Sequence, residues 1–231
     1  MVRIECIATG STGNCYLVNL GSGYFLLDAG VPIKEIIKYI NLNKVDFAFV
    51  SHEHKDHFKS VSELVKRHVP VLRGYCFNEF LKIQNLPKFE GKYEMYTFPV
   101  QHGSCPNGGL IIKDGEELLL YITDFNVCKW KLSDYKFTRV MVECNYIEEM
   151  ANDMEDFKVK RQINTHMGLE GLKIFLNTLD LSRCKEVYLL HQSQGLGNPS
   201  IMGASIWVHL NKKIPVGVCE QFGGVDWYGR R

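Results

Sequence analysis

Apolar positions follow two rhythms along this chain. Short runs that are continuous or alternating, at residues 2–8 (VRIECIA), 15–20 (CYLVNL), 23–30 (GYFLLDAG) and 46–51 (DFAFVS), predict β-strands. Gly21-Ser22-Gly23 between the second and third predicts a hairpin. Residues 32–41 (PIKEIIKYIN) space their apolar side chains near 3.6 and open with a proline, which predicts a helix; residues 58–69 predict another. Further strands are expected over 93–100, 138–144, 186–192 and 214–220, with two more flanking Asp114-Gly115 inside 109–124. Helices are expected over 168–180 and 200–211. Two mixed sheets packed face to face, with helices outside, would bury this pattern in an α+β fold. No repeat, low-complexity tract or linker interrupts it, so residues 1–231 are expected to form a single domain.

Composition narrows the classes. Of the 231 residues 45% are hydrophobic and 23% charged, ordinary for a globular chain. No apolar run approaches the ~20 residues that cross a bilayer, and the first residues lack a signal-peptide layout. Eight cysteines without a CxxC pair are expected as reduced thiols of a cytoplasmic protein, with no membrane partner. A net charge of +1 gives no global field for a polyanion, so any nucleic-acid binding must rest on local patches.

Candidate chemistry concentrates in 51-SHEHKDHF-58, directly after an apolar strand. His52, His54, Asp56 and His57 offer four potential ligands in one short turn, a set suited to Zn, Mn or Fe. A solvated loop could hold three histidines by accident. Against that, Asp28, His102, Asp124 and His191 each terminate an apolar strand, which suggests one shared rim.

The order Asp28, His52-x-His54-x-Asp56-His57, His102, Asp124, His191 resembles the five motifs of the metallo-β-lactamase superfamily over essentially the whole chain. The resemblance implies a four-layer αββα sandwich with two divalent metal ions, Mn²⁺ or Zn²⁺, at one edge of the sheets. It implies His52, His54 and His102 on one metal, Asp56, His57 and His191 on the other, Asp124 bridging, and Asp28 behind them as an anchor. Glu53 and Lys55 are then expected to face solvent or substrate. Two cations ~3.5–4 Å apart can lower the pKa of a bridging water and stabilise an in-line displacement, so hydrolysis is expected.

Four segments point to phosphodiesters. Residues 8–18 (ATGSTGNCYLV) resemble the GSxGN loop of the WalJ/YycJ-type DNA exonuclease subgroup, which would put Ser11, Thr12 and Asn14 on phosphate oxygens; a plain tight turn reads the same way. Residues 140–146 (VMVECNY) resemble that subgroup's ESN segment, and 164–171 (NTHMGLEG) its GHxxxxxA segment. Carried over, Glu143 would orient His166 as general acid, with Asp56 completing the catalytic set. A helix N-terminus at His166 would lower its pKa, with the glutamate opposing. Residues 187–194 (VYLLHQSQ) resemble the nuclease branch, with Ser193 able to donate to a phosphate. Lys158, Lys160 and Arg161 lie just before His166 as candidate backbone contacts. Lys129, Lys131, Lys136 and Arg139 around Trp130 and Tyr135, and Arg230 and Arg231 beside Trp227 and Tyr228, are weaker patches that read equally as solvated charge, as does the acidic run at 148–156.

Thr165 in place of a glycine and Tyr146 in place of a histidine depart from the subgroup's pattern. No β-CASP insertion or tRNase Z-type arm is evident. The reading is therefore a two-metal exonuclease that resects duplex DNA ends 5′ to 3′ for repair or phage recombination, with a RecT-like annealing protein as a partner implied by resemblance alone. A cyclic-nucleotide phosphodiesterase would share these residues. A thioesterase or lactonase would share the metals without needing Glu143 and His166. A non-catalytic binding module is disfavoured by the intact ligand set.

Overall fold

The structure, a computed structural model, describes residues 2–83, 91–151 and 156–230. The chain begins with β1 (Arg3–Ala8), β2 (Cys15–Asn19) and β3 (Tyr24–Leu27), an antiparallel meander. Helix α1 (Ile33–Ile36) leads to β4 (Val45–Val50), which pairs parallel with β3. Helices α2 (Lys55–Phe58) and α3 (Val61–Lys66) precede β5 (Val71–Arg73), closing a five-stranded sheet in the order β1-β2-β3-β4-β5.

The second sheet has eight strands. β6 (Leu81–Lys82), β7 (Glu94–His102), β8 (Cys105–Asp114) and β9 (Glu117–Ile122) run antiparallel; β10 (Arg139–Glu143), β11 (Glu186–Leu190) and β12 (Val216–Cys219) join β9 in parallel; β13 (Val225–Tyr228) closes the edge antiparallel. Helix α4 (Glu148–Ala151), α5 (Phe157–Thr165) and α6 (Leu169–Asn177) lie between β10 and β11, and α7 (Pro199–His209) between β11 and β12.

Strand alternation sorts the side chains into three apolar layers. Phe25, Leu27, Phe47 and Phe49 face Leu110, Ile112, Leu119, Tyr121 and Met141 between the sheets. Their alternates Leu26, Ala48 and Val50 pack under Ile36, Val61 and Leu64 of the helices outside the small sheet. Ile111, Leu120, Ile122, Val140 and Val142 pack under Leu172, Phe175, Leu176, Met202 and Ile206 of α6 and α7. The result is an αββα sandwich. Phe25 and Phe47 stack at 5.0 Å at zero exposure in the middle layer; truncating such a ring to alanine costs about 3–5 kcal/mol.

Several elements differ from expectation. The helix expected over 32–41 is α-helical only at Ile33–Ile36, and the one over 58–69 only at Val61–Lys66, after a separate short helix that holds Asp56 and His57. Helix α5 was not expected. Of its apolar side chains only Val159 is buried and Ile163 half-buried, while Phe157 is exposed, so the helix signal was faint beneath a basic one. Glu148 of the acidic run is not a simple solvated charge: its Oε1 accepts from Glu170 N at 2.9 Å, at the start of α6. Asp153 and Glu155 of that run, and Arg231, lie outside the described residues.

Candidate metal centre

Strands β3, β4, β7, β9, β10 and β11 all finish at one edge of the sandwich, and the residues at or just past their ends turn inward. Asp28, Asp124 and His191 do so with φ of +57°, +50° and +55°. That left-handed backbone is uncommon outside glycine and is tolerated best by Asn, Asp and His. Each turn is held by neighbours. Asp28 N donates to Phe49 O at 2.7 Å, and His191 N to Thr9 Oγ1 at 2.8 Å. Asn107 Nδ2 donates to Thr123 O and Asp124 O at 2.8 and 2.6 Å. After β4, His54 is the N-cap of α2 and Asp56 and His57 fall in its first turn. The backbone of that turn passes so close to Gly30 that a Cβ there would lie 1.6 Å from Asp56 O, so no other residue fits.

Three groups of donor atoms result among the described residues, one of them formed by Asp124, Glu143, His166 and His191 and the other two by the expected ligands. His52 Nε2, His54 Nδ1, His102 Nε2 and Asp124 Oδ2 lie together, with separations of 2.9, 3.3, 3.7 and 3.7 Å along its pairs. Asp56 Oδ2, His57 Nε2 and His191 Nε2 form the second, with Asp56 3.4 Å from His57 and 3.5 Å from His191. Asp124 turns its other oxygen, Oδ1, to His57 Nε2 at 3.4 Å. A tetrahedral ion with ligands at 2.0–2.1 Å has edges of about 3.3 Å, so both groups have the spacing of a divalent coordination sphere, with one carboxylate shared. His191 Nε2 is buried without a hydrogen-bond partner and belongs to the second group. The residues present therefore fit two divalent cations.

Electrostatics agree. Burial, then the neighbouring His57, pushes His52 down to about 2, and burial with His102 lowers His54, so both are neutral donors. Burial opposes the charge of Asp124, but His191 and His57 outweigh it and hold the carboxylate well below its usual range. Burial likewise opposes protonation of His191, yet Asp124, Asp56 and Glu143 raise it to about 10. Carboxylates gathered at a buried rim beside imidazole donors are what divalent cations neutralise. Behind the second group, His57 Nδ1–H donates to Asp28 Oδ2 at 2.6 Å. Tyr121 OH donates to the same oxygen at 2.5 Å, and Ser51 N to Asp28 Oδ1 at 2.7 Å. His102 Nδ1–H donates to Thr165 O at 2.9 Å, which leaves Nε2 as its donor atom.

Glu143 extends this network. Its Oε1 accepts from His166 Nδ1 at 2.6 Å and His191 Nδ1 at 3.1 Å, and its Oε2 from Phe125 N and Met167 N at 2.9 and 3.1 Å. The His166 ring stands 5.0 Å from that of His102 and 5.2 Å from that of His191, between the two groups. His166 follows the C-terminal residue of α5 rather than opening a helix, so the expected lowering is absent. Burial lowers its pKa, but Glu143 outweighs burial and raises it.

Residues 8–120 match the metallo-beta-lactamase superfamily model. Over those residues the chain carries a metallo-β-lactamase superfamily domain. It is 26% identical to exodeoxyribonuclease YycJ of Bacillus anthracis over 219 residues, covering 83% of each chain. It is 23% identical to exodeoxyribonuclease WalJ of Streptococcus pneumoniae, covering 83% of this chain and 82% of that one. The metallo-β-lactamase fold protein YhfI from Bacillus subtilis superposes with a TM-score of 0.70 at 15% identity, over 97% and 98% of the two chains. With these relatives, this metallo-β-lactamase domain is a metal-dependent hydrolase.

The metal groups of the metallo-β-lactamase domain open into a cleft of about 770 Å³. Ser11, Ser193, Lys158 and Arg161 line it. Three other candidates do not. Asn14 is fully buried beneath the ligand turn, where its Nδ2 meets His57 Nε2 at 3.0 Å and Asp56 O at 3.3 Å. It braces the ligands and is not available to a phosphate. Thr12 is exposed beyond the cleft and accepts from Gln221 Nε2 at 3.2 Å. Lys160 is exposed and off the cleft face that Lys158, Arg161 and Thr165 share at helical spacing. Glu53 and Lys55 are exposed, and Glu53 accepts from Tyr75 OH at 2.8 Å. The basic patch at 129–139 lies elsewhere. Arg139 is buried between Glu117 and Glu186, and Trp130 and Tyr135 pack against the sheet.

Sequence reasoning missed the bracing residues Asn145, Asn107 and Tyr121. Asn145 Nδ2 donates to His191 O at 2.7 Å. It also missed Phe157, 81% exposed on the cleft beside Lys158. A large aromatic left in water among polar residues was the available signal. Among the described residues, no helix is long and apolar enough to cross a membrane.

Proposed function

We propose that this chain is a cytoplasmic two-metal phosphodiesterase that degrades duplex DNA from its ends. The carrying observation is the Glu143–His166 pair at 2.6 Å, with the imidazole between the two donor groups and on the cleft. A sugar oxygen leaves a phosphodiester as a strongly basic alkoxide, so its departure calls for a proton donor. A thiolate leaving from a thioester does not, which is why this pair favours phosphodiesters over a thioesterase reading.

His52, His54 and His102 would hold one cation, Asp56, His57 and His191 the other, and Asp124 both; Mn²⁺ or Zn²⁺ suits this donor set. The chemistry such a pair supplies when bound is activation of water near neutral pH and neutralisation of phosphate charge. The chain's own groups do the rest. Glu143 fixes His166 with Nδ1–H toward the carboxylate, so Nε2–H faces the cleft and protonates the leaving oxygen. Lys158 and Arg161 meet backbone phosphates, Ser11 and Ser193 offer hydroxyl donors, and exposed Phe157 offers a face for an unpaired base. The relatives named exodeoxyribonucleases support DNA as the polymer.

The test is digestion of a linear duplex labelled at the 5′ or the 3′ end, with Mn²⁺, Mg²⁺ or Zn²⁺ supplied. Loss of duplex from its ends, abolished in His54→Ala and slowed about 10²–10⁴-fold in His166→Ala, is the expected result. An intact duplex with every metal, alongside cleavage of cyclic nucleotides, would replace DNA by a small phosphodiester.

A further inference from the structure

A second cavity, of about 330 Å³, adjoins the metal cleft and shares Ser11, Gln192, Ser193 and Gln194 with it as a common wall. We infer that this cavity is a nucleobase subsite, which receives the base of a nucleotide whose phosphate lies at the metals; the inference rests on the phosphodiesterase reading above. Its size is at the lower end of ligand pockets, enough for one base with its sugar and too small for two stacked nucleotides.

The lining chemistry selects the ligand. Val218, Cys219 and Pro199 give an apolar surface that matches the flat face of a heterocycle. Glu220 and Asp226 bring carboxylates to the far side. Two carboxylates repel a phosphate and accept hydrogen bonds, so the cavity suits a neutral group carrying N–H donors. Gln192 directly follows His191, and its Nε2 is buried with no hydrogen-bond partner, a donor left for a ring nitrogen or carbonyl. A heterocyclic base with an exocyclic amine meets all three demands: a flat apolar face, donors for the carboxylates and an acceptor for the carboxamide. Adenine, cytosine and guanine carry such an amine and thymine does not. The polymer's phosphates remain on the other side of the shared wall, beside Lys158 and Arg161.

The test titrates the full, Zn²⁺-loaded chain with the four 2′-deoxynucleoside 5′-monophosphates and with 2-deoxyribose 5-phosphate, followed by calorimetry. The amine-bearing nucleotides are expected to bind about tenfold more tightly than the sugar phosphate, with the thymine nucleotide the weakest of the four. Pro199→Trp, which fills the cavity from an exposed first turn of α7, is expected to erase the advantage of the bases at unchanged metal content and fold. Asp226→Asn, without added bulk, is expected to narrow the gap between thymine and the other bases. Equal affinity for nucleotide and sugar phosphate, or a base advantage that survives in Pro199→Trp, would overturn the subsite. Digestion of the labelled duplex by the same preparation separates the two readings. Base-dependent binding with intact DNA keeps the subsite and removes the exonuclease, and digestion without base-dependent binding does the reverse.

Discussion

The two ends of the eight-stranded sheet are both crowded with charge, and they are built on opposite rules. Where β10 and β11 begin, Arg139 lies between Glu117 and Glu186, Lys185 reaches Glu117 at 2.6 Å, and Arg230 reaches Glu186 at 3.5 Å while lying 4.2 Å over the Trp227 ring. Each cation there has its carboxylate. Where the same strands finish, Asp28, Asp56, Asp124 and Glu143 converge on imidazoles, and one buried imidazole nitrogen, His191 Nε2, makes no hydrogen bond. Both ends bring charged groups together, and completeness of pairing is what differs. A closed ion-pair network has nothing left to offer a ligand, whereas a buried donor set with unmet valence does.

The sharpest way to break that comparison is to remove the shared carboxylate. Asp124→Asn weakens both donor groups at once, so bound metal is expected to fall from two ions per chain to one or none, and hydrolysis to the limit of detection. Mass spectrometry of the native protein and a rate assay on the same sample check it. Two retained ions would show that Asp124 is not shared. The next effect in size belongs to His166. His166→Ala is expected to slow cleavage of a sugar phosphodiester about 10²–10⁴-fold, and to have little effect on a p-nitrophenyl ester, whose leaving group needs no proton. The pH profile carries the sign. Glu143 raises the pKa of His166, so the acid form persists until pH rises through that value, and the rate then falls. Glu143→Gln removes the raising charge, and the falling limb should move to lower pH. A limb that stays in place would assign it to another group.

The rim was legible in the sequence because its chemistry sits at the ends of strands that are easy to read. Leu26 and Leu27 before Asp28, and Leu189 and Leu190 before His191, mark where a buried strand stops, and the next polar residue has to be there for a reason. Distances between the strands were not legible, since Asp124 meets His57 only when two sheets close on each other. Asn14 was misread for a related reason. In the sequence it belongs to a Gly-Ser-Thr turn, and only packing against the backbone of Asp56 and the ring of His57 turns its amide inward. Helix α5 was hidden because a helix that buries little more than Val159 leaves almost no apolar period to read. The far-end patch was misread because residue type does not reveal pairing: Arg139 looks like a free cation until β9 and β11 bring Glu117 and Glu186 beside it.

Smaller effects sharpen the contrast from each side. At the rim, Asp28 Oδ2 accepts from both His57 and Tyr121, so Asp28→Asn should weaken metal binding about 10–100-fold while leaving every donor atom of the two groups in place. Competition against a graded chelator measures it, and an unchanged affinity would make Asp28 purely a packing residue. At the other end, Arg139→Met should leave the specific rate of the folded enzyme unchanged, because Arg139 and Glu143 stand four steps apart along the strand. That distance is about 13 Å, beyond the screening length of about 8 Å at physiological salt. Stability should instead fall by about 1.5–2 kcal/mol at neutral pH, since Glu117 and Glu186 lose their shared buried cation and keep only the more exposed Lys185 and Arg230. The loss should shrink in acid. Burial would raise the pKa of Glu117, but the Lys185 and Thr138 hydrogen bonds and the Arg139 charge outweigh it and hold the carboxylate low. The wild type therefore gives up that contribution as pH falls through the depressed value, while the variant has less to give up. Denaturant unfolding at neutral pH and near pH 4 checks both halves. A variant that unfolds normally but hydrolyses slowly would mean that the two ends of the sheet communicate.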